Sequence, residues 1–161
     1  TVIEFFDYQC VYCSRLAPGM EQVIKAHPQT RFAFKEWPIF GGRWESSLEA
    51  AKTGLQIYQQ KGADAYLAYH NGIYATGHNE GKLTTADIQQ QAKKVNFDAG
   101  KAADVEPALE STNQLAQEIG LSGTPGVIVM PTTGATEATI TVFPGLADKA
   151  SLDAAIKKAG G

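Results

Sequence analysis

The chain has 161 residues, 43% of them hydrophobic and 19% charged, with a formal net charge of -3. That length suits one domain with a core that needs no disulfide staples. Its mild acidity gives no reason to expect nucleic acid or an anionic membrane as a partner. No apolar run approaches the roughly 20 residues of a spanning helix, so no membrane insertion is expected.

The sequence opens on Thr1 without a signal peptide, so a mature or trimmed product is expected, with any N-terminal oligomerisation segment lying outside it. Thr1 to Phe6 is dense in β-branched and aromatic residues and predicts a buried strand. The spacing of Leu16, Met20, Val23 and Ile24 predicts a helix from Cys10 to about Ala26, kinked at Pro18 and stopped by His27-Pro28. Thr30 to Trp37 predicts a second strand, closed by Pro38 and the Gly41-Gly42 pair.

Ser46 to about Gly120 carries no strand signal and predicts a helical block. Its segments are Ala50 to Tyr58, Tyr66 to Tyr74, Ala86 to Val95 behind Thr84 or Thr85, and one or two more from Asp98 or Gly100 onward. After Gly123-Thr124-Pro125, the short apolar run Gly126 to Met130 and the alternating run Glu137 to Phe143 predict an antiparallel hairpin turning at Pro131 to Gly134. Leu152 to Ala159 predicts a last helix behind Ser151. The order β-α-β, helical block, β-β-α is that of an α/β fold in three stretches, 1–45, 46–120 and 121–161, with a helical insertion between the halves of a small sheet.

Cys10-Val11-Tyr12-Cys13 holds the only two cysteines, placed where a strand gives way to a helix. Unpaired N–H groups and the dipole at a helix N-terminus favour a thiolate. A zinc site needs a second ligand pair, and His27, His70 and His78 show no ligand spacing. A purely structural disulfide across so small a loop would constrain the unfolded chain weakly. The remaining reading is a dithiol–disulfide redox site, with Cys10 the attacking thiolate exposed at the helix tip and Cys13 the more buried resolving thiol. No metal or cofactor is expected.

Glu4 interrupts an apolar strand: in a central strand it is buried and able to relay a proton to Cys13, and at an edge it is simply solvated. Lys35 is either its partner across parallel strands or a surface lysine, and Glu36 points to the opposite, solvated side. The peptide bond before Pro125 is trans by base rate. Tyr58, Tyr66, Tyr69 and Tyr74 are core residues or the wall of a peptide groove. Phe5, Phe6, Phe32, Phe34 and Trp37 are core.

Glu4-Phe-Phe-Asp-Tyr-Gln-Cys-Val-Tyr-Cys13 resembles the active-site segment of the DsbA-like thioredoxin-fold oxidoreductases. Phe34 to Gly41, followed by Ser47 and Ala50-Ala51, is similar to the segment leading into their helical insertion, and Gly123-Thr124-Pro125 to their cis-proline loop. The resemblance implies a thioredoxin fold with an all-helical insertion and thiol:disulfide exchange in the bacterial periplasm with cysteine-containing proteins. It implies a cis Pro125 against Cys10, with Val11, Tyr12, Thr124 and Pro125 binding substrate. It further implies Glu4 as the buried acid and Lys35 as its partner.

Three residues depart from the family's strong oxidases. Val11 replaces a proline, Tyr12 replaces a histidine, and Thr124 resembles the isomerase and reductase relatives DsbC and DsbG, while the helical pattern is of the DsbA or suppressor-of-copper-sensitivity (ScsC) type. A less acidic Cys10 and weaker oxidising power are therefore expected. The reading is a dithiol oxidase served by a membrane redox partner of DsbB-like or DsbD-like kind. The alternatives are an isomerase or reductase, homo-oligomeric through a segment absent here, and, in another class, a peptide-holding chaperone or Cu(I) carrier.

Overall fold

Val2–Phe6 (β1), rich in β-branched and aromatic residues, lies inside a four-stranded sheet in the computed structural model, which describes residues 1–161. Val11–Ala26 (α1) follows and runs on through Pro18, and Phe32–Glu36 (β2) pairs parallel to β1 with Glu4 opposite Phe34. Gly126–Val129 (β3) pairs antiparallel on the other side, and Thr141–Phe143 (β4) completes the order β2-β1-β3-β4. A buried central β1 therefore carries Glu4, which settles the edge-strand alternative against it.

Between the two halves lie Glu45–Lys61 (α2), Ala63–Ala75 (α3), Thr85–Lys94 (α4) and Glu106–Ile119 (α5), with a 3-10 turn at Ala99–Lys101. Thr84 starts α4 through a reciprocal capping box with Asp87. The last helix, Lys149–Lys158 (α6), begins earlier than expected because Asp148, not Ser151, caps it by accepting from the Ser151 N–H at 2.7 Å.

Strand alternation divides the core. Val2, Val127 and Val129 pack with Leu16, Met20 and Val23 of α1 and Leu152 and Ile156 of α6. Phe6 joins Tyr8, Cys10, Cys13 and a cluster from α2, α3 and α4 that includes Ile57, Tyr69, Ile73 and Ile88. On the other face Phe5 and Ile128 meet Trp37 and Ala116, so α5 lies on the sheet instead of with α2–α4. The stretch 46–120 is thus spatially divided, although its sequence is uniformly helical.

The hairpin is shorter than its alternating pattern predicts. Thr136 and Thr139 bond each other's backbone (Thr136 N–H to Thr139 Oγ1 at 2.9 Å), closing a turn where a ladder was expected. Phe32 and Phe34 are half-buried because β2 is an edge strand. Tyr66, Tyr69 and Tyr74 are buried, whereas Tyr58 is 54% exposed and packs edge-on against Tyr66. No helix is long and apolar enough to cross a membrane.

Gly54 is a point where α2 comes close to the sheet side of this core. A Cβ there would lie 2.7 Å from Glu36 Oε2 and 3.2 Å from both Tyr8 Oη and Tyr69 Cε1. Gly54→Ala is expected to destabilise the fold by about 1–3 kcal/mol in urea denaturation. Gly19→Ala, in open space within α1, should be neutral or stabilising by up to about 1 kcal/mol.

Candidate active site

The turn from β1 into α1 is held by Asp7. Its buried carboxylate accepts from the Gln9 N–H at 2.8 Å, the Phe40 N–H at 2.9 Å and the Ser47 hydroxyl at 2.7 Å, and Tyr74 donates to its carbonyl. Those bonds tie the turn to the loop after β2 and to the start of α2. Burial still raises the Asp7 carboxyl above its usual range, against those hydrogen bonds. Cys10 then takes the N-cap position of α1 with an extended backbone, φ -82° and ψ 121°.

The two thiols stand in opposite electrostatic situations. Cys10 is drawn down to about 6, chiefly by the Cys13 thiol that donates to it, then by the Thr124 hydroxyl and the Cys13 and Tyr12 N–H groups, with burial opposing. The buried Thr124 hydroxyl has no hydrogen-bond partner in the folded protein, so its proton is free to turn toward the sulfur. In the neutral state the Cys10 thiol donates to the Thr124 carbonyl at 3.4 Å. Cys13 is pushed well above a free thiol by burial first and then by Cys10, with Glu4 contributing.

Cys10 was expected to be exposed at the helix tip; it keeps only 3% of its surface because the Thr124 segment covers it. Its neighbour Tyr12 is the exposed residue at 51%, with the Arg15 guanidinium 5.4 Å from its ring centre. Val11 is half-buried, Pro125 is buried, and the Thr124–Pro125 peptide bond is cis, not the trans isomer that base rates favour. Val11 and Tyr12 lie between the two cysteines in sequence, and Thr124, next to Pro125, meets the Cys10 sulfur through its carbonyl.

Glu4 lies beneath them. Burial raises its carboxyl to about 8, and its Oε1 has no partner. The expected ion pair with Lys35 is absent and must be corrected. Lys35 is in register with Phe5, so alternation points it to the sheet face away from Glu4.

Glu36 is not the solvated residue expected. In register with Phe6, it shares the Glu4 face and is buried, accepting from Tyr8 Oη at 2.9 Å and Tyr66 Oη at 2.7 Å on one oxygen while the other has no partner. Burial holds Glu36 well above the usual carboxyl range despite both phenols. His70 completes this interior among Phe6, Phe34 and Tyr74, at ring separations of 4.9–5.0 Å, and burial lowers it to about 4.

Asp7, Gln9, Glu36 and Glu80 belong to the site and escaped the sequence reading. Glu36 had a usable signal, since i and i+2 on a strand share a face and Phe34 was already assigned to the core. The loop that brings Glu80 in has no periodicity to read.

A family model described as DSBA-like thioredoxin domain matches residues 1–157. The fold is similar to that of Salmonella enterica Typhimurium BcfH, at 41% identity and TM-score 0.87, covering 99% of this chain and 70% of that one. It is similar to Proteus mirabilis ScsC in a compact conformation, at 25% identity and TM-score 0.80, with 99% and 82% covered. A thioredoxin-like oxidoreductase from Silicibacter pomeroyi is similar at 28% identity and TM-score 0.78, with 99% and 85% covered. Among curated proteins, the Na(+)/H(+) antiporter NhaA 3 of Salinispora tropica is 21% identical over 141 residues; the match takes in 80% of this chain but only 20% of that protein's length.

Proposed function

The chain belongs to the DSBA-like thioredoxin domain family, and we propose that it is a thiol:disulfide oxidoreductase that donates the Cys10–Cys13 disulfide to cysteine-containing proteins of the cell envelope. The observation that carries this reading is the asymmetry of the pair: Cys10 drawn down to about 6 and Cys13 pushed far up, at the N-terminus of one helix. A low-pKa sulfur is a good leaving group, and a high-pKa sulfur is a thiol that must be reprotonated when it leaves.

In the oxidase direction a substrate thiolate attacks Cys10 Sγ, the Cys10–Cys13 bond breaks, and Cys13 departs with the electron pair. Glu4, protonated at pH 7 with its carboxyl at about 8, supplies the proton Cys13 takes up. The substrate's second thiolate then attacks its own sulfur in the mixed disulfide and expels Cys10 as a thiolate. The substrate loses two electrons and two protons; the pair gains both electrons, one proton restores Glu4 for the one it gave Cys13, and above pH 6 the other stays in solvent because Cys10 remains ionised. A membrane redox partner restores the disulfide. Val11, Tyr12, Thr124 and Pro125 hold the substrate segment, and an oxidising compartment such as the periplasm is where this chemistry persists.

The test is a single turnover. The disulfide form, mixed with an equimolar reduced two-cysteine peptide, should return one peptide disulfide and one reduced enzyme per encounter. Reduced peptide remaining after hours at pH 7, against intact Cys10–Cys13, would refute the assignment.

A further inference from the structure

The segment between α3 and α4 reaches back to the N-terminus of α1. Its Glu80 is a non-glycine residue with φ +53°, a costly left-handed backbone. That conformation is pinned by the buried Gln9, whose carbonyl accepts from the Glu80 N–H at 2.8 Å and whose Oε1 accepts from the Gly81 N–H at 2.9 Å. Gln9 is itself anchored, donating from Nε2 to Ser46 Oγ at 2.7 Å. The result of this clamp is that Glu80 Oε1 accepts from the Val11 N–H at 2.9 Å, the first N–H of the helix whose N-cap is Cys10.

A carboxylate on that N–H has a direct electrostatic consequence. The next two amides, of Tyr12 and Cys13, serve the Cys10 sulfur. Two anions therefore share one helix N-terminus, and the carboxylate offsets part of the positive potential that favours the thiolate. The other ionisable groups around the pair are Glu4 on β1, Asp7 in the preceding turn and Tyr74 on α3, none of them cationic. The cation of this turn, Arg15, is over the Tyr12 ring.

We propose that Glu80 is a positioning residue that sets the redox poise of the Cys10–Cys13 pair through its charge, holding the protein to a weaker oxidant than its helix N-terminus alone would give. The proposal rests on the redox reading of the pair. The disulfide has no charged sulfur, so a negative charge beside Cys10 disfavours the dithiol–thiolate state relative to the disulfide.

The experiment is the glutathione equilibrium of the wild type, Glu80→Gln, Glu80→Asn and Glu80→Asp, with the Cys10 thiolate titrated by its ultraviolet absorbance. Asn tolerates the left-handed backbone and keeps a neutral acceptor, so it guards against a folding artefact. At low salt both neutral variants should shift the equilibrium about three- to tenfold toward the dithiol, about 15–30 mV in potential, and titrate Cys10 at lower pH. Glu80→Asp should stay near wild type. Because Glu80 is exposed, the difference between wild type and Glu80→Gln should shrink at 1 M salt, where the Debye length is about 3 Å. A wild type that equilibrates, beside Gln and Asn variants with its constant and its titration, overturns this proposal alone. A wild type that never exchanges with glutathione overturns the redox reading and this proposal with it.

Discussion

Cys10→Ser is expected to reduce disulfide exchange to the uncatalysed background, whereas Cys13→Ser should arrest it as a stable mixed disulfide on Cys10. Serine cannot form the sulfur–sulfur bond through which the electrons pass, so the first loss is complete. In Cys13→Ser the Cys10 thiolate can still attack a disulfide-bonded substrate, expelling that substrate's other sulfur as a thiolate, but the intramolecular thiol that would resolve the mixed disulfide is gone. The pH profile distinguishes the two thiols in the wild type. With Cys10 at about 6 against a free thiol near 9, about nine-tenths of it is thiolate at pH 7. Alkylation of the reduced protein should therefore modify Cys10 with a midpoint near pH 6 and leave Cys13 unmodified until far higher pH. Equal alkylation of both thiols across pH 5 to 8 would contradict the asymmetry.

The second large effect belongs to Glu4. Its folded-state carboxyl, at about 8, lies above an ordinary value of 4.5, so between those values the native protein holds a proton the unfolded chain has released. Stability from this group is fully present below 4.5 and is lost as pH rises to about 8, as much as roughly 5 kcal/mol across the window. His70 acts oppositely at lower pH. Lowered to about 4 from 6.5, it makes the fold gain stability as pH rises between those values. Between pH 6.5 and 8 His70 no longer titrates and Glu4 alone should cost about 2 kcal/mol; Cys10, lowered to about 6, opposes this in the reduced protein, so both proteins are compared in the disulfide form. Glu4→Gln cannot ionise and should lose that part of the slope, leaving the residue from Glu36, which burial shifts the same way. Urea denaturation of both proteins at pH 6.5, 7.2 and 8 measures it, and parallel curves would refute a buried neutral Glu4. The same substitution should slow the step in which Cys13 gains or loses its proton.

Much of this was legible in the sequence because it is local. A β-branched run, a two-cysteine helix start and a Thr-Pro before an apolar strand each declare themselves within a few residues, and the Thr124 carbonyl does reach the Cys10 sulfur. The failures are matters of register and long-range contact. Of the two readings of Lys35, partner of Glu4 or surface lysine, the resemblance favours the partner, yet the parallel ladder places Phe34 opposite Glu4 and the one-residue offset changes the face. Glu36 reads as solvated because nothing local announces that Tyr8 and Tyr66 will come from 28 and 30 residues away to bind it. The same applies to α5, whose amphipathic pattern resembles its neighbours' although it covers the other face of the sheet. Glu80 lies 69 residues from the amide it binds, in a segment with no periodicity at all.

The central claim is that the Cys10–Cys13 disulfide is poised to be given away. Its most direct test is the equilibrium of the pair against glutathione buffers at pH 7, read by mass after alkylation. The thiolate-favouring surroundings of Cys10 predict a potential well above the about -270 mV of thioredoxin. A value at or below that mark would mean a disulfide too stable to donate, and the oxidase reading would be wrong.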